Sequence, residues 1–272
     1  MKTYLKCISV SLFFGVFETL FYLESNDQIV FSDIIFQFSF LKTVIQGPYI
    51  IDMTLMFFPY LIFQILFGTY IYQHFCSASV YYFSRCSNRV AWLLKEVLRL
   101  YSYVLIYLGC LIGGGLIVAG ITHAITFDLE SFILFFYYLL IYSLYLYLTV
   151  VLINILAIIF NSSTAFVIVA GFEMAFILLL VLWEKFLPLH DSIYAGRNSM
   201  LLQLNPVAHL VLAWHSSFLD KLNAKINVYS ISFDLNISIL LFLGLSILVT
   251  VIGCKVVKKK DFIIANNETG GI

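Results

Sequence analysis

Six stretches of about 20 mostly apolar residues recur along this chain, and a helix needs a run of that length to cross roughly 30 Å of hydrocarbon. They are approximately Leu5 to Leu23, Ile51 to Tyr72, Tyr101 to Ile121, Phe132 to Phe160, Ala165 to Leu187 and Leu235 to Cys254. No polar block long enough to fold separately lies between them, so residues 1–272 read as a single transmembrane domain. With 62% hydrophobic and 11% charged residues, against about 25% charged in a soluble domain, too little polar sequence remains to shield such runs from water. The expected fold is all-α, a polytopic integral membrane protein whose solvent is the lipid bilayer. Lys2 and Lys6 precede the first apolar stretch as in a signal peptide, but no small-x-small cleavage site follows before Glu24, so that stretch is expected to stay as the first span.

Positively charged loops resist translocation, so lysine and arginine set the orientation. With both termini cytoplasmic, ten of the fifteen basic residues fall inside: Lys2, Lys6, Arg85, Arg89, Lys95, Arg99, Lys255, Lys258, Lys259 and Lys260. Acidic residues run the other way, with Glu24, Asp27, Asp33, Asp128, Glu130, Asp191, Asp220 and Asp234 outside. A formal net charge of zero argues against a strongly basic nucleic-acid binder. The five cysteines include no C-x-x-C pair, so neither a structural disulfide nor a zinc site is expected.

Two connections stand out. The inner loop, residues 73–100, carries Arg85, Arg89, Trp92, Glu96 and Arg99 at steps of three or four, so a helix there gathers charge on one stripe. Such a stripe fits either anionic headgroups or a cytoplasmic partner. The outer loop, residues 188–234, contains the apolar run Leu201 to Trp214, too short and interrupted to span, which reads as a re-entrant or interfacial helix opened by a cap at Asn205 and by Pro206.

The six-span plan with both ends inside, the basic loop between spans two and three, and the Leu204-Asn205-Pro206 element before the last span together resemble the permease subunits of bacterial type 2 ABC exporters. The resemblance implies a coupling helix near residues 80–90 that docks on an ABC ATPase subunit through Phe83, Ser84, Arg85, Ser87, Asn88, Arg89 and Trp92. It implies a second permease copy or a sister permease, location in the plasma membrane, and outer re-entrant helices corresponding to Leu201 to Asp220. One departure from the family pattern is that the first span begins within a few residues of Met1, leaving little room for an amphipathic helix before it. No nucleotide site is expected on this chain, because in the nearest approach to a P-loop, Gly115 to Thr122, Ile121 replaces the lysine. No cofactor is expected here, ATP and Mg belonging to the partner subunit.

Ionisable side chains within spans are costly and mark function, which makes Glu173 and Glu18 candidates for a translocation path, Glu18 lying near the outer end of its span where it could reach water. Asn154 joins them, with an interhelical hydrogen bond as the simpler reading. Gly109 and Gly113 form a small-xxx-small pair, extended by Gly114, Gly115 and Gly120, expected to let helices approach. The tyrosines from Tyr137 to Tyr147 could present hydroxyls to a path or simply pack. His209 and His215 are six apart, unlike the i, i+4 pair of H-E-x-x-H, so no metal site is expected. Without a nucleophile and base pair, no enzyme activity is expected. The sequence leads to an exporter permease moving an amphipathic or peptide-like substrate, self-protection against an antimicrobial peptide being one role. The alternatives are a stand-alone secondary transporter and a non-transporting immunity or accessory protein.

Overall fold

Each apolar run becomes a long helix, because a chain in lipid must satisfy its backbone hydrogen bonds within the segment. The computed structural model describes residues 2–22, 28–39, 49–81, 88–186, 203–227 and 233–259. In order these form α1 (Lys2–Tyr22), β1 (Gln28–Val30), α2 (Phe31–Gln37), α3 (Tyr49–Phe67), α4 (Tyr70–Tyr81), α5 (Arg89–Thr122), β2 (Ala124–Thr126), α6 (Leu129–Ile159), α7 (Ser162–Phe186), α8 (Asp220–Ile226) and α9 (Leu235–Lys259). Six helices are long and apolar enough to cross a membrane, the second formed by α3 and α4 together. This is a multi-pass all-α membrane protein.

α6 is the central element, touching α2, α3, α4, α5, α7, α8 and α9. Its inner faces carry Tyr138, Ile141, Tyr142, Tyr145 and Leu146, all buried. The tightest helix pair is α1 against α5. At their crossing a side chain on Gly15 would run into the Leu111 carbonyl, and a Cβ on Gly114 would lie 2.9 Å from the Leu12 carbonyl oxygen. The close approach therefore falls on Gly114 and Gly15, not on Gly109 and Gly113. Nothing lies within 4 Å of where a Cβ would stand on either of those two, so the small-xxx-small spacing points away from the helix partner.

Two differences from the sequence reading concern length. α5 starts at Arg89, so the charged helical stretch expected in the inner loop is the first third of span three itself. Within it Glu96 is buried and Trp92 half-buried, with Trp92 packing on Phe75 at 6.0 Å between ring centres. The stripe turns partly inward because α4 supplies a partner, His74 Nδ1, 3.1 Å from Glu96 Oε2. Span two, in turn, is broken after Phe67 and resumes at Tyr70. At the other end of the bundle β1 and β2, each following a span, pair in parallel and seat α2 against α6.

Candidate functional site

Three polar clusters lie inside the bundle. The first repairs the break in span two. Breaking a helix frees the carbonyls before the gap and the amides after it, and these are expensive to leave unpaired in an apolar interior. Asn154 of α6 supplies both kinds of partner. Its Oδ1 accepts from the Ile71 and Tyr72 amides at 2.7 and 3.1 Å, and its Nδ2 donates to the Phe67 and Val150 carbonyls at 3.0 and 2.8 Å. The interhelical reading of Asn154 holds, and its role is to splice two half-helices.

The second cluster lies beside that splice, about halfway along its spans, where α3, α6 and α7 meet. Glu173 is 4% exposed. Its Oε1 accepts from Gln64 Nε2 at 2.6 Å and from the Tyr145 hydroxyl at 2.7 Å. The Gln64 amide also donates to Thr149 Oγ1 at 3.1 Å. Glu173 Oε2 and Gln64 Oε1 have no hydrogen-bond partner. Of the Tyr137 to Tyr147 series, Tyr138, Tyr142 and Tyr145 face this interior and are fully buried or nearly so. Tyr138 meets the Tyr60 hydroxyl at 3.1 Å, and Tyr142 donates to the Leu210 carbonyl at 2.7 Å. Glu18 stands apart from Glu173. It does not reach water as its position in the span suggested: it is 3% exposed, covered by α2, whose Gln37 amide donates to the Glu18 backbone carbonyl at 2.7 Å. The sequence held no sign of α2 as a lid.

The third cluster is built by the segment before the last span. This segment folds not as an α-helix but as two short 3₁₀ turns, Ala208–Leu210 and Leu212–Trp214, followed by α8. Asn205 Oδ1 accepts from the Val207 amide at 2.9 Å, while its Nδ2 donates to the Phe176 carbonyl of α7 at 2.9 Å; the cap position of the first 3₁₀ turn is Val207, not Asn205. Pro206 follows in the turn, half-buried. Val207 to Trp214 are all buried within the protein. His209 Nδ1 and His215 Nε2 each lie 2.8 Å from Ser238 Oγ of α9, while His209 Nε2 meets the Gln203 carbonyl and His215 Nδ1 the Val211 carbonyl, both at 2.9 Å. Spacing on an α-helix kept these histidines apart, whereas the 3₁₀ turns bring them together. Burial pushes both pKa values down, that of His215 to about 3, so both rings are neutral at pH 7. The single Ser238 proton serves one ring at a time.

α8 is held at the start of α6 by ion pairs. Lys225 pairs with Asp128, which also caps α6 by accepting from the Ser131 amide at 2.9 Å. Lys221 reaches Glu130 at 3.9 Å.

At the opposite end of the bundle, Phe83, Ser84, Arg85 and Ser87 of the expected docking loop lie outside the described residues. Val80 and Tyr81 lie in the last turn of α4, and Arg89 opens α5. Asn88 caps α5 by accepting from the Ala91 amide at 3.1 Å. Glu96, accepting from Arg99 at 3.1 Å as well as meeting His74, ties the two flanking helices together.

No family model, curated protein or solved structure matches the chain. Among the described residues no group of three or more His, Cys, Asp or Glu could hold a metal ion.

Proposed function

We propose that this chain is the membrane-spanning permease subunit of an ATP-driven exporter in a bacterial plasma membrane. Both termini are cytoplasmic and the 203–227 segment enters the bundle from outside as a re-entrant element. The observation that carries the reading is the length of α5. At 34 residues and 1.5 Å per residue it is about 51 Å long, well beyond roughly 30 Å of hydrocarbon. Together with α4 it forms a pair of levers standing out of the bilayer at the basic end, clamped by Glu96 and continuous with spans two and three. A cytoplasmic ABC ATPase docked between their tips, over Phe83 to Arg89 and Trp92, moves both spans directly as it closes on ATP and Mg. A second permease copy or a sister subunit completes the path for an amphipathic or peptide-like substrate, with self-protection against an antimicrobial peptide as its role.

Co-purification from native membranes in mild detergent tests this. An ATPase that accompanies the chain and is released by Arg85→Glu with Arg89→Glu supports the exporter. A chain that purifies without any ATPase overturns it.

A second reading, a stand-alone secondary transporter, is favoured by one observation: a broken span with a carboxyl and an amide beside the break, near mid-membrane. That combination is where such transporters place their substrate and coupling-ion sites.

A further inference from the structure

The Glu173 cluster is out of balance in its hydrogens. Glu173 Oε1 accepts twice, while Glu173 Oε2 and Gln64 Oε1 accept nothing. Among the described residues every donor that reaches them is spent. Both Gln64 amide hydrogens are used, on Glu173 and on Thr149, and the Thr149 hydroxyl goes to the Leu146 carbonyl at 3.2 Å. The Tyr145 hydroxyl is given to Glu173. Among the described residues no lysine, arginine or histidine pairs with this carboxyl. Among the described residues the titratable group in contact with it is Tyr145 of α6, and α3 offers the neutral Gln64.

Turning the Gln64 amide over does not mend the count. Its oxygen would then stand 2.6 Å from Glu173 Oε1, a separation that two oxygens hold only with a hydrogen between them. In either orientation the site lacks one positively charged hydrogen. A metal ion is a poor substitute, since hard divalent cations gather about six oxygens or more and two are open here.

We propose that Glu173 is a proton-binding site at the centre of the bundle, with Gln64 and Tyr145 as its positioning residues. The proton arrives as hydronium, an O–H bond forms at a Glu173 oxygen, and water is left behind; release is the reverse. With the proton bound, α7 is joined to α3 and α6 through neutral hydrogen bonds. Without it, a bare carboxylate sits beside the splice in span two with no counter-charge, and the joint between these spans weakens. The proposal does not depend on the exporter reading, since ATP-driven work needs no such proton.

Infrared difference spectroscopy of the purified chain in phosphatidylcholine vesicles, taken across a pH series and in H₂O and D₂O, tests it. The expected result is a carboxylic-acid C=O band that shifts on deuteration and is missing in Glu173→Gln. The same band should persist at a changed frequency in Gln64→Leu and in Tyr145→Phe, which keep the carboxyl and alter one hydrogen bond each. The two conservative variants keep the test decisive if Glu173→Gln does not fold. Loss of a carboxylate band rather than an acid band in Glu173→Gln, or no change of the acid band in either partner variant, overturns the proposal. So does an acid band that yields to added sodium at constant pH, which would make the occupant a metal ion.

Discussion

Asn154 and Glu173 lie on neighbouring turns of the same interior, both buried, both polar and both reached from α3, yet their surroundings are built in opposite ways. Asn154 has every hydrogen-bonding position in use, and three of the four groups it serves are backbone atoms that the helix break would otherwise leave bare. Glu173 serves no backbone atom, and one of its oxygens faces nothing. A buried polar residue with a full set of partners is explained by the fold it supports. One that lacks a partner carries a cost the fold does not recover, and that cost is tolerated where a ligand, here a proton, completes it.

The comparison breaks most sharply at Asn154. Asn154→Leu keeps the branching of the side chain at somewhat larger volume while removing the partner of the Phe67 carbonyl and the Ile71 and Tyr72 amides in an apolar interior. The expected cost is about 2–4 kcal/mol, read as a lower midpoint of thermal unfolding in mild detergent. A loss below about 0.5 kcal/mol would mean that the splice relaxes without Asn154. Glu173→Gln, by contrast, is expected to leave that midpoint within about 1 kcal/mol of the parent, because the amide supplies the hydrogens that the proton supplies in the native chain.

The histidine cluster stands between these extremes, its backbone contacts made but one serine hydrogen shared by two rings. In the folded chain the rings hold no proton above about pH 3 for His215, while in the unfolded chain they bind one near pH 6.5. Stability from this cluster is therefore complete above pH 6.5 and is lost as pH falls below it toward 3. The loss is capped by the free energy with which the 203–227 segment opens locally. With the base-catalysed intrinsic exchange rate divided out, the protection of the Val211 and His215 amides should fall between pH 7 and pH 5 in the parent. In a His209→Gln, His215→Gln variant the protection should be flat over that range; a fall that survives in the variant would place the acid response elsewhere.

Much of this architecture was legible from run lengths, because a helix in lipid must satisfy its own backbone and hydrophobicity alone counts the spans. What escaped depends on residues distant in sequence. The break in span two is hidden, since only Gly68 and Thr69 interrupt the stretch and the partner of the backbone on either side of them, Asn154, is more than 80 positions away. Lys95, Glu96 and Arg99 read as loop by hydropathy, yet α5 runs through them because His74 of α4 receives the buried carboxylate. Glu173 was visible as an ionisable residue in mid-span, but neither Gln64 nor Tyr145 carries a mark of its role. The histidines were tested against the wrong helix, and Gly15, the glycine that α5 needs opposite Gly114, lies outside the small-xxx-small pattern that drew attention to Gly109 and Gly113.

The smallest effect belongs to the surface tie between α8 and α6, and it sharpens the comparison by showing what a partnered but solvent-accessible charge contributes. Burial works against ionised Asp128, but hydrogen bonds from Lys225 and Ser131 outweigh it and bring its pKa down to about 2. A lowered carboxylate pKa stabilises the fold above its ordinary value near 4, and that contribution is lost as pH falls toward 2. Because the Asp128 side chain is 37% exposed, solvent screening leaves less than about 1 kcal/mol. Lys225→Met should therefore lower the unfolding midpoint slightly at low ionic strength, and the difference from the parent should fade in high salt. A salt-independent loss would instead assign the contribution of Lys225 to the packing of its alkyl chain, and the tie between α8 and α6 would then join Asn154 as a structural contact rather than an electrostatic one.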